Sequence, residues 1–172
     1  MVAQRRPEVF LSVSATTRAP RPGEDHGREY LFLSDEEFDA MERRGEFLEN
    51  AKVFGANRYG TPRTPVRAAL ADGRPVLLEI DVQGAGQVKA AMPEAMTVIL
   101  LPPSWEALEA RLRGRKTEDA AALERRLAVA KQELAAAAEF DHQVVNDDLE
   151  VAVGQVDRIL MGTPPTEGTE HL

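Results

Sequence analysis

The sequence carries at residues 75–81 the run Pro75-Val76-Leu77-Leu78-Glu79-Ile80-Asp81, which is apolar almost throughout and ends in acidic side chains. Such a run is typical of a strand that is buried on both faces of a parallel sheet. A helix is predicted to follow it, from about residue 84 to residue 92. The apolar run at 96–101 predicts a second buried strand, and Ser104 caps the helix behind it. Strands that alternate with helices in this way predict an α/β fold with a mostly parallel sheet.

The same alternation continues toward both ends of the chain. Short apolar, β-branched runs predict strands at residues 9–14 and 142–146. Three further helices are expected to begin at capping residues and carry apolar side chains at helical spacing. These caps are Thr64, Thr117 and Asp148. We therefore expect helices to flank the parallel sheet.

A central stretch of the chain interrupts this alternation. Short strands are predicted at 29–33 and twice within 46–60, and between them Ser34 and Glu37 form a capping box for one helix. Residues 15–24 are predicted to be a loop, because they contain two prolines and a glycine. We therefore expect a small mixed α/β lobe beside the parallel sheet.

The composition narrows the possible functions. The chain has 172 residues, with 21 Lys and Arg against 29 Asp and Glu, so its formal net charge is −8. We expect one domain over residues 1–161 and a flexible tail over 162–172. The acidic balance argues against a nucleic-acid partner and against a basic membrane anchor.

Two absences narrow them further. The sequence contains no cysteine, which excludes disulfides, a thiol nucleophile and cysteine-ligated zinc. No apolar run approaches the roughly 18 residues that a membrane-spanning helix needs. We therefore expect no membrane span and a cytoplasmic location.

The loop after the first strand concentrates groups that bind phosphate. Hydroxyl and guanidinium groups occur close together at Ser14, Thr16, Thr17, Arg18 and Arg21. In open α/β sheets, ligands bind beyond the carboxyl ends of the strands, and arginine pairs bidentately with phosphate oxygens. The alternative is an ordinary solvated loop with structural hydroxyls, and the residues alone do not decide between the two.

Further candidates lie at the end of the central strand and in a later helical region. Glu79 and Asp81 are two residues apart on the predicted strand, so their side chains face the same side. They could accept hydrogen bonds from the edge of a base or arrange magnesium near phosphates. The alternative is a strand end that emerges into solvent. An arginine-rich region could close on a transferring phosphoryl group or form a solvated helix face. It comprises Arg111, Arg113, Arg115, Arg125 and Arg126.

No arrangement for metal ligation or nucleophilic catalysis occurs. The three histidines, His26, His142 and His171, are scattered, and neither metal-ligand spacing nor a nucleophile–His–acid grouping is present. Asn146 and Asp147 precede the capping residue of the last helix, and their simplest interpretation is part of that cap.

Several strings of residues occur together and in one order, and in this combination they resemble the guanylate kinase family of nucleoside-monophosphate kinases. The resemblance extends from about residue 8 to residue 160. The strings are Phe10-Leu11-Ser12-Val13-Ser14-Ala15-Thr16-Thr17-Arg18, Pro20-Arg21-Pro22-Gly23-Glu24, Phe47-Leu48-Glu49, Tyr59-Gly60-Thr61-Pro62, Glu79-Ile80-Asp81-Val82-Gln83-Gly84, Pro102-Pro103-Ser104, Arg113-Gly114-Arg115, Arg125-Arg126-Leu127 and Val145-Asn146-Asp147-Asp148.

The resemblance implies both a fold and a reaction. The fold would be a P-loop nucleoside-monophosphate kinase sheet with a GMP-binding lobe at about residues 30–62 and a helical lid at about 115–138. The reaction would be transfer of the γ-phosphate of ATP to GMP, in purine nucleotide metabolism. GMP and ATP would be the small-molecule partners, and Mg²⁺ would bind together with ATP as the cofactor.

The resemblance also implies roles for the GMP-binding residues. The GMP phosphate would be held by Ser14, Arg18, Arg21, Tyr30 and Tyr59. The guanine edge would be contacted by Glu49, Thr61 and Asp81. A carboxylate can accept hydrogen bonds from N1–H and the 2-amino group of guanine, which adenine does not offer in the same arrangement.

Other residues match the ATP side of the family. Glu79 corresponds to the acid near the magnesium–phosphate region, and Asn146 and Asp147 lie in the loop beside the adenine of ATP. Arg115 and Arg126 correspond to the lid arginines that neutralise charge during transfer, so they are the expected catalytic residues.

The sequence also departs from the family's usual pattern. Residues 49–52 are Glu-Asn-Ala-Lys, where members usually carry Glu-Trp-Ala-Glu. No Gly-x-x-x-x-Gly-Lys-[Ser/Thr] phosphate loop occurs in the sequence, and the central first strand that precedes this loop in the family is absent as well. We expect about 20–25 residues of the functional protein to precede this chain, half of a βα unit. The alternative is a non-catalytic module that binds GMP or a phosphorylated peptide.

Overall fold

The computed structural model describes residues 1–53, 57–114 and 120–162. The chain divides into two compact units. The N-terminal unit is Arg6–Met96, and the C-terminal unit comprises Met1–Arg5 together with Thr97–Leu172. Within the described ranges, no helix is both long and apolar enough to cross a membrane. Except for Gly162, the predicted tail lies outside the described residues.

The helices and strands alternate along the chain. The α-helices are α1 (Val2–Arg5), α2 (Asp35–Arg43), α3 (Arg63–Ala71), α4 (Val82–Ala91), α5 (Trp105–Arg113), α6 (Ala120–Ala135) and α7 (Leu149–Leu160). The strands are β1 (Phe10–Leu11), β2 (Ala15–Thr16), β3 (Leu31–Phe32), β4 (Phe47–Val53), β5 (Asn57–Pro62), β6 (Val76–Leu77), β7 (Val98–Leu101) and β8 (His142–Val145). A 3₁₀ helix, Ala136–Glu139, follows α6.

The N-terminal unit contains one parallel strand pair and one mixed sheet. Strand β1 pairs with β6 in parallel, and the mixed sheet has the order β3-β2-β5-β4. In the mixed sheet β2 runs parallel to β3 and antiparallel to β5, while β4 and β5 form an antiparallel hairpin. The predicted mixed lobe is thus observed. The predicted turn at residues 55–57 lies mostly outside the described residues.

Several strand predictions in this unit are wrong in their extent. The strand predicted over 9–14 covers only Phe10–Leu11, and that over 29–33 covers only Leu31–Phe32. The strand predicted over 75–81 covers only Val76–Leu77, and Asp81 at the end of the run is the N-cap of α4. Residues 15 and 16, predicted as loop, form β2, because they are fully buried and pair with strands distant in sequence. Proline and glycine nearby indicate where the chain turns, but they do not indicate such long-range pairing.

The two faces of β5 have different surroundings. Gly60 lies against Phe47, so that a Cβ at this position would be 2.9 Å from Phe47 Cδ1. Phe47 stacks on Phe38 of α2 with ring centroids 4.5 Å apart, and Arg58 lies over the Phe38 ring. Since side chains alternate along a strand, Arg58 and Gly60 face this core. The residues between and beyond them, Tyr59 and Thr61, therefore face the other side.

The helix starts of the N-terminal unit follow local capping chemistry. Ser34 and Glu37 form the predicted capping box at the start of α2. Helix α3 begins at Arg63, after Pro62, and has no side-chain cap, so the prediction that Thr64 caps it is wrong. Helix α4 begins at Val82, two residues before its predicted start.

The C-terminal unit has its own parallel pair and its own helices. Strands β7 and β8 pair in register from Val98–His142 to Leu101–Val145, close to the predicted ranges. Ser104 and Asp148 cap α5 and α7 as predicted. The proposed start at Thr117 lies outside the described residues, and α6 is observed from Ala120. A buried cluster that includes Val144, Ala152 and Ile159 packs α7 against the strands.

Candidate functional site

The first cluster of candidate residues surrounds Arg18, just after β2. Its backbone N–H donates to Thr16 Oγ1 at 3.1 Å, which fixes the turn that leaves the strand. Its guanidinium carbon lies 5.4 Å from the centre of the Tyr30 ring and 5.7 Å from that of Phe32. Its Nη2 donates to Glu24 Oε1 at 2.9 Å. The guanidinium is therefore held in place by aromatic rings and a carboxylate before any ligand binds.

Glu24 connects the two arginines of this cluster. While one of its oxygens pairs with Arg18, the other accepts from the Arg21 backbone N–H at 2.7 Å. The hydrogen bond from Arg18 and then that from Arg21 hold the pKa of Glu24 below its ordinary value. The same pairing raises the pKa of Arg18. The Glu24 carboxylate is thus the ion-pair partner of the Arg18 guanidinium.

Two tyrosines border the Arg18 cluster. The rings of Tyr30 and Tyr59 meet edge to face with centroids 5.9 Å apart, and the Tyr59 side chain contributes to the raised pKa of Arg18. Burial raises the pKa of Tyr30, and the neighbouring Tyr59 adds to the effect. The Tyr30 hydroxyl therefore stays a neutral donor. Ser14 immediately precedes β2, where its carbonyl accepts from the backbone N–H of Leu31 at 2.9 Å.

The second cluster is built around a buried carboxylate on the β4–β5 hairpin. Glu49 and Thr61 lie opposite each other in the hairpin, and both are buried, at 5% and 0% exposure. Thr61 Oγ1 donates to Glu49 Oε1 at 2.7 Å. Burial raises the pKa of Glu49, and the nearby charge of Asp81 acts in the same direction, although the Thr61 hydrogen bond partly offsets them.

The start of α4 closes this second cluster. Asp81 Oδ1 accepts from Gly84 N at 2.7 Å, so Asp81 is a helix cap and not the end of a strand in solvent. A Cβ added to Gly84 would lie 2.6 Å from Glu49 Oε2 and 3.4 Å from Asp81 Oδ1. The two carboxylates therefore converge beside Gly84, where only a residue without a side chain fits.

Glu79 is the third acidic candidate of the N-terminal unit. It is exposed after the end of β6, and its charge contributes to the raised pKa of Tyr30. Glu79 is thus close enough to the Arg18 cluster to act on it electrostatically, whereas Asp81 belongs with Glu49.

The remaining predicted residues lie in the C-terminal unit. Asn146 follows β8, where its backbone carbonyl accepts from Arg111 Nη1 at 2.9 Å, and Asp147 is exposed next to the α7 cap. Arg126 is partly buried on α6. Arg115 lies outside the described residues.

Comparison with known proteins decides the family. The family model described as guanylate kinase matches residues 2–163. The chain belongs to the guanylate kinase family. It is 57% identical over 163 residues to the guanylate kinase of Leifsonia xyli and 60% identical over 147 residues to that of Streptomyces coelicolor. These matches cover 95% and 86% of this chain, but 64% and 74% of the respective relatives. The chain thus spans under two thirds of the Leifsonia protein.

A solved structure supports the same assignment at the level of the fold. The crystal structure of guanylate kinase from Anaplasma phagocytophilum matches with a TM-score of 0.80 and 35% sequence identity. The match covers 94% of this chain and 79% of that one. The prediction of an α/β fold of guanylate kinase type is therefore confirmed.

Three residues that contact the candidate guanylate kinase site were not assigned a role from the sequence. Glu24 accepts a hydrogen bond from Arg18, and Gly84 lies against Glu49. Gln87 accepts a hydrogen bond from the backbone of Asn50, the residue after Glu49. Glu24 could have been suspected from its spacing of three residues from Arg21. The other two lie on α4 and meet β4, which is more than thirty residues away in sequence, so no local signal identifies them.

Proposed function

We propose that this chain binds GMP as the acceptor of the guanylate kinase reaction, in which the γ-phosphate of ATP passes to GMP and gives ADP and GDP. The observation that carries the proposal is the placement of Tyr59 and Thr61 on one face of β5. Tyr59 belongs to the Arg18 cluster and Thr61 to the Glu49 cluster. Residues two apart on a strand lie about 7 Å from each other, which suits a ribose between a phosphate and a base.

The Arg18 cluster would bind the GMP phosphate. A guanidinium presents parallel donors to two phosphate oxygens, and the hydroxyls of Tyr30, Tyr59 and Ser14 can donate to the others. Arg21 would add a second cation. Because Glu24 already orients Arg18, little side-chain ordering remains to be done when the phosphate arrives.

The Glu49 cluster would select guanine. An ionised Glu49 can accept from N1–H and from the 2-amino group of guanine, while adenine places an unprotonated N1 at the same position and would leave the buried carboxylate without donors. Such an unpaired buried group is costly. Thr61 and Asp81 would complete the contacts with the base edge.

The roles on the ATP side of the reaction are proposed from the family resemblance and from the solvent exposure of Glu79. The described ranges hold no group of three or more side chains that could ligate a metal. Magnesium at phosphate groups, however, usually keeps several waters and needs only one or two carboxylates. The exposed Glu79 therefore fits the role of a carboxylate near magnesium. When bound with ATP, magnesium would neutralise phosphate charge. Arg115 and Arg126 would add positive charge at the transferring group, and Asn146 and Asp147 would border the adenine.

A coupled assay for ADP formation with ATP, Mg²⁺ and GMP tests the proposal. We expect ADP formation that depends on GMP and is much slower with AMP. GMP binding without ADP formation would instead support the non-catalytic GMP-binding module, and absence of GMP binding would overturn both. A location in the cytoplasm, and the absence of nucleic-acid or membrane partners, remain predictions from the sequence.

A further inference from the structure

Strand β4, which carries Glu49, lies at the edge of its sheet. In the order β3-β2-β5-β4, and within the described part of the chain, it pairs with β5 on one side only. On the other side, the side chain of Gln87 from α4 takes the place of a neighbouring strand. Gln87 Oε1 accepts from the backbone N–H of Asn50 at 3.1 Å, and Gln87 Nε2 donates to the Asn50 carbonyl at 2.7 Å. One carboxamide thus satisfies both backbone groups of the residue after Glu49.

Three consecutive residues of β4 meet three residues of α4. The first contact is apolar, the second is the close approach of a glycine to a carboxylate, and the third is the pair of hydrogen bonds. Leu48 and Val88 belong to one buried apolar cluster, Glu49 approaches Gly84, and Asn50 bonds with Gln87. All three α4 residues lie within one helical turn and a half, so a single face of α4 holds the segment around Glu49.

Of the three contacts with α4, only the hydrogen bonds from Gln87 restrain β4 along its own direction, while the opposite edge of β4 is paired with β5. Apolar packing is not directional, and a glycine removes an obstacle without supplying an attraction. The two hydrogen bonds from Gln87, by contrast, go to the N–H and the carbonyl of Asn50, in the two peptide units that flank this residue, and are directional. The neighbouring carboxylates of Glu49 and Asp81 repel each other, so without this restraint the edge strand can move Glu49 away from the start of α4.

We propose that Gln87 is a positioning residue that sets guanine specificity by holding Glu49 beside Asp81. The inference rests on the proposed function, because it assigns Glu49 to the guanine edge. Gln87 acts through the Asn50 backbone and does not contact the nucleotide. Loss of its hydrogen bonds therefore affects recognition of the base and leaves the Arg18 cluster intact.

The test compares binding of GMP and of inosine monophosphate, which lacks the 2-amino group, by titration calorimetry. In Gln87→Ala we expect the GMP dissociation constant to rise about tenfold and that of inosine monophosphate by a smaller factor, so their ratio falls. Gln87→Glu keeps the side-chain length but cannot donate to the Asn50 carbonyl, and it should lower the ratio as well. Gln83→Ala, on an exposed position of the same helix, should change neither constant.

Amide hydrogen exchange in the unliganded protein supplies the second readout. The Asn50 N–H should exchange faster in both Gln87 variants than in the parent and in Gln83→Ala. An unchanged ratio of the two dissociation constants in the Gln87 variants overturns the inference while the parent still binds GMP. If the parent itself shows no preference for GMP over inosine monophosphate, the proposed base-recognition role of Glu49 fails, and the inference fails with it.

Discussion

The proposed GMP site has a phosphate end and a base end, and each contains a glutamate in different electrostatic surroundings. Glu24 at the phosphate end is partly buried, and Glu49 at the base end is buried. Glu24 faces the Arg18 guanidinium at 2.9 Å, and its pKa is lowered. Glu49 faces the Thr61 hydroxyl at 2.7 Å and the charge of Asp81, and its pKa is raised. At the phosphate end, the Glu24 carboxylate thus compensates the positive charge of Arg18. At the base end, the Glu49 carboxylate is buried beside another acidic group, and further hydrogen-bond donors would stabilise it.

Because of this difference, the two ends are expected to contribute differently to the stability of the fold and to the binding of GMP. A pre-paired arginine contributes to the folded state and still offers donors to a phosphate. A buried carboxylate with a raised pKa reduces stability at neutral pH, and donors from a ligand can offset that cost. Variants at the base end should therefore lose binding without losing stability, while variants at the phosphate end should not gain stability.

The largest effect is expected from Glu49→Gln. Its amide group would face the donors of guanine, so GMP affinity should fall roughly 100-fold. Because the folded-state pKa of Glu49 lies above its ordinary 4.5, the carboxyl stabilises the fold below that value, and this contribution is lost as the pH rises through the folded-state pKa. The melting temperature of the variant relative to the parent should therefore increase from pH 4 toward neutral pH. A variant that is less stable than the parent at neutral pH would contradict the comparison.

Arg18→Ala tests the phosphate end. Loss of a charged hydrogen-bond donor should weaken GMP binding by about 10- to 100-fold and leave guanosine, which has no phosphate, unaffected. Arg18→Lys should fall between the two, because an ammonium cannot form the bidentate contact. Arg28→Ala is the control, since Arg28 pairs with Asp25 and Glu29 on the surface of the same loop. Equal losses for GMP and guanosine in Arg18→Ala would place Arg18 outside the phosphate contact.

Gly84→Ala tests whether the position of the Glu49 carboxylate matters. The new methyl group would lie 2.6 Å from Glu49 Oε2, so the carboxylate must move, and GMP affinity should fall about tenfold. Gly86→Ala is a matched control on the same helix, because no atom of the described residues lies within 4 Å of its added Cβ. It should stabilise α4 by up to about 1 kcal/mol without changing GMP binding. Identical GMP affinities in both variants would remove Gly84 from the account.

The smallest effect is expected on the opposite face of β5. Arg58 pairs there with Asp35 and Asp39 of α2, on the side that faces the Phe38 core. Asp39→Asn should lower the free energy of unfolding by about 0.2–1 kcal/mol, less at high salt, and should not change GMP affinity. A clear loss of GMP binding in this variant would mean that the two faces of β5 are coupled.

The sequence predicted the parts of this architecture that depend on neighbouring residues. The Ser34–Glu37 capping box and the caps at Ser104 and Asp148 follow from local hydrogen bonding, and they were predicted correctly. The strand over 75–81 was predicted too long, because an apolar run does not reveal where its last acid turns to cap a helix.

The candidate site was predictable as a set of residues but not as a set of contacts. Motif resemblance named both arginines of the loop and the carboxylates of the base end, and those roles stay predictions. The contacts that distinguish the two ends, such as Arg18–Glu24 and Gln87–Asn50, depend on how the chain folds back on itself. Only the structure provides them.

Titration of the unmodified chain with GMP and with AMP, without ATP, tests the central claim most directly. Both nucleotides carry the same phosphate, so the Arg18 cluster can engage either, and any difference between them arises at the base end. The account predicts one bound GMP per chain and an affinity for AMP that is lower by at least about 100-fold. Equal affinities for GMP and AMP would contradict the assignment of Glu49 and Asp81 to guanine.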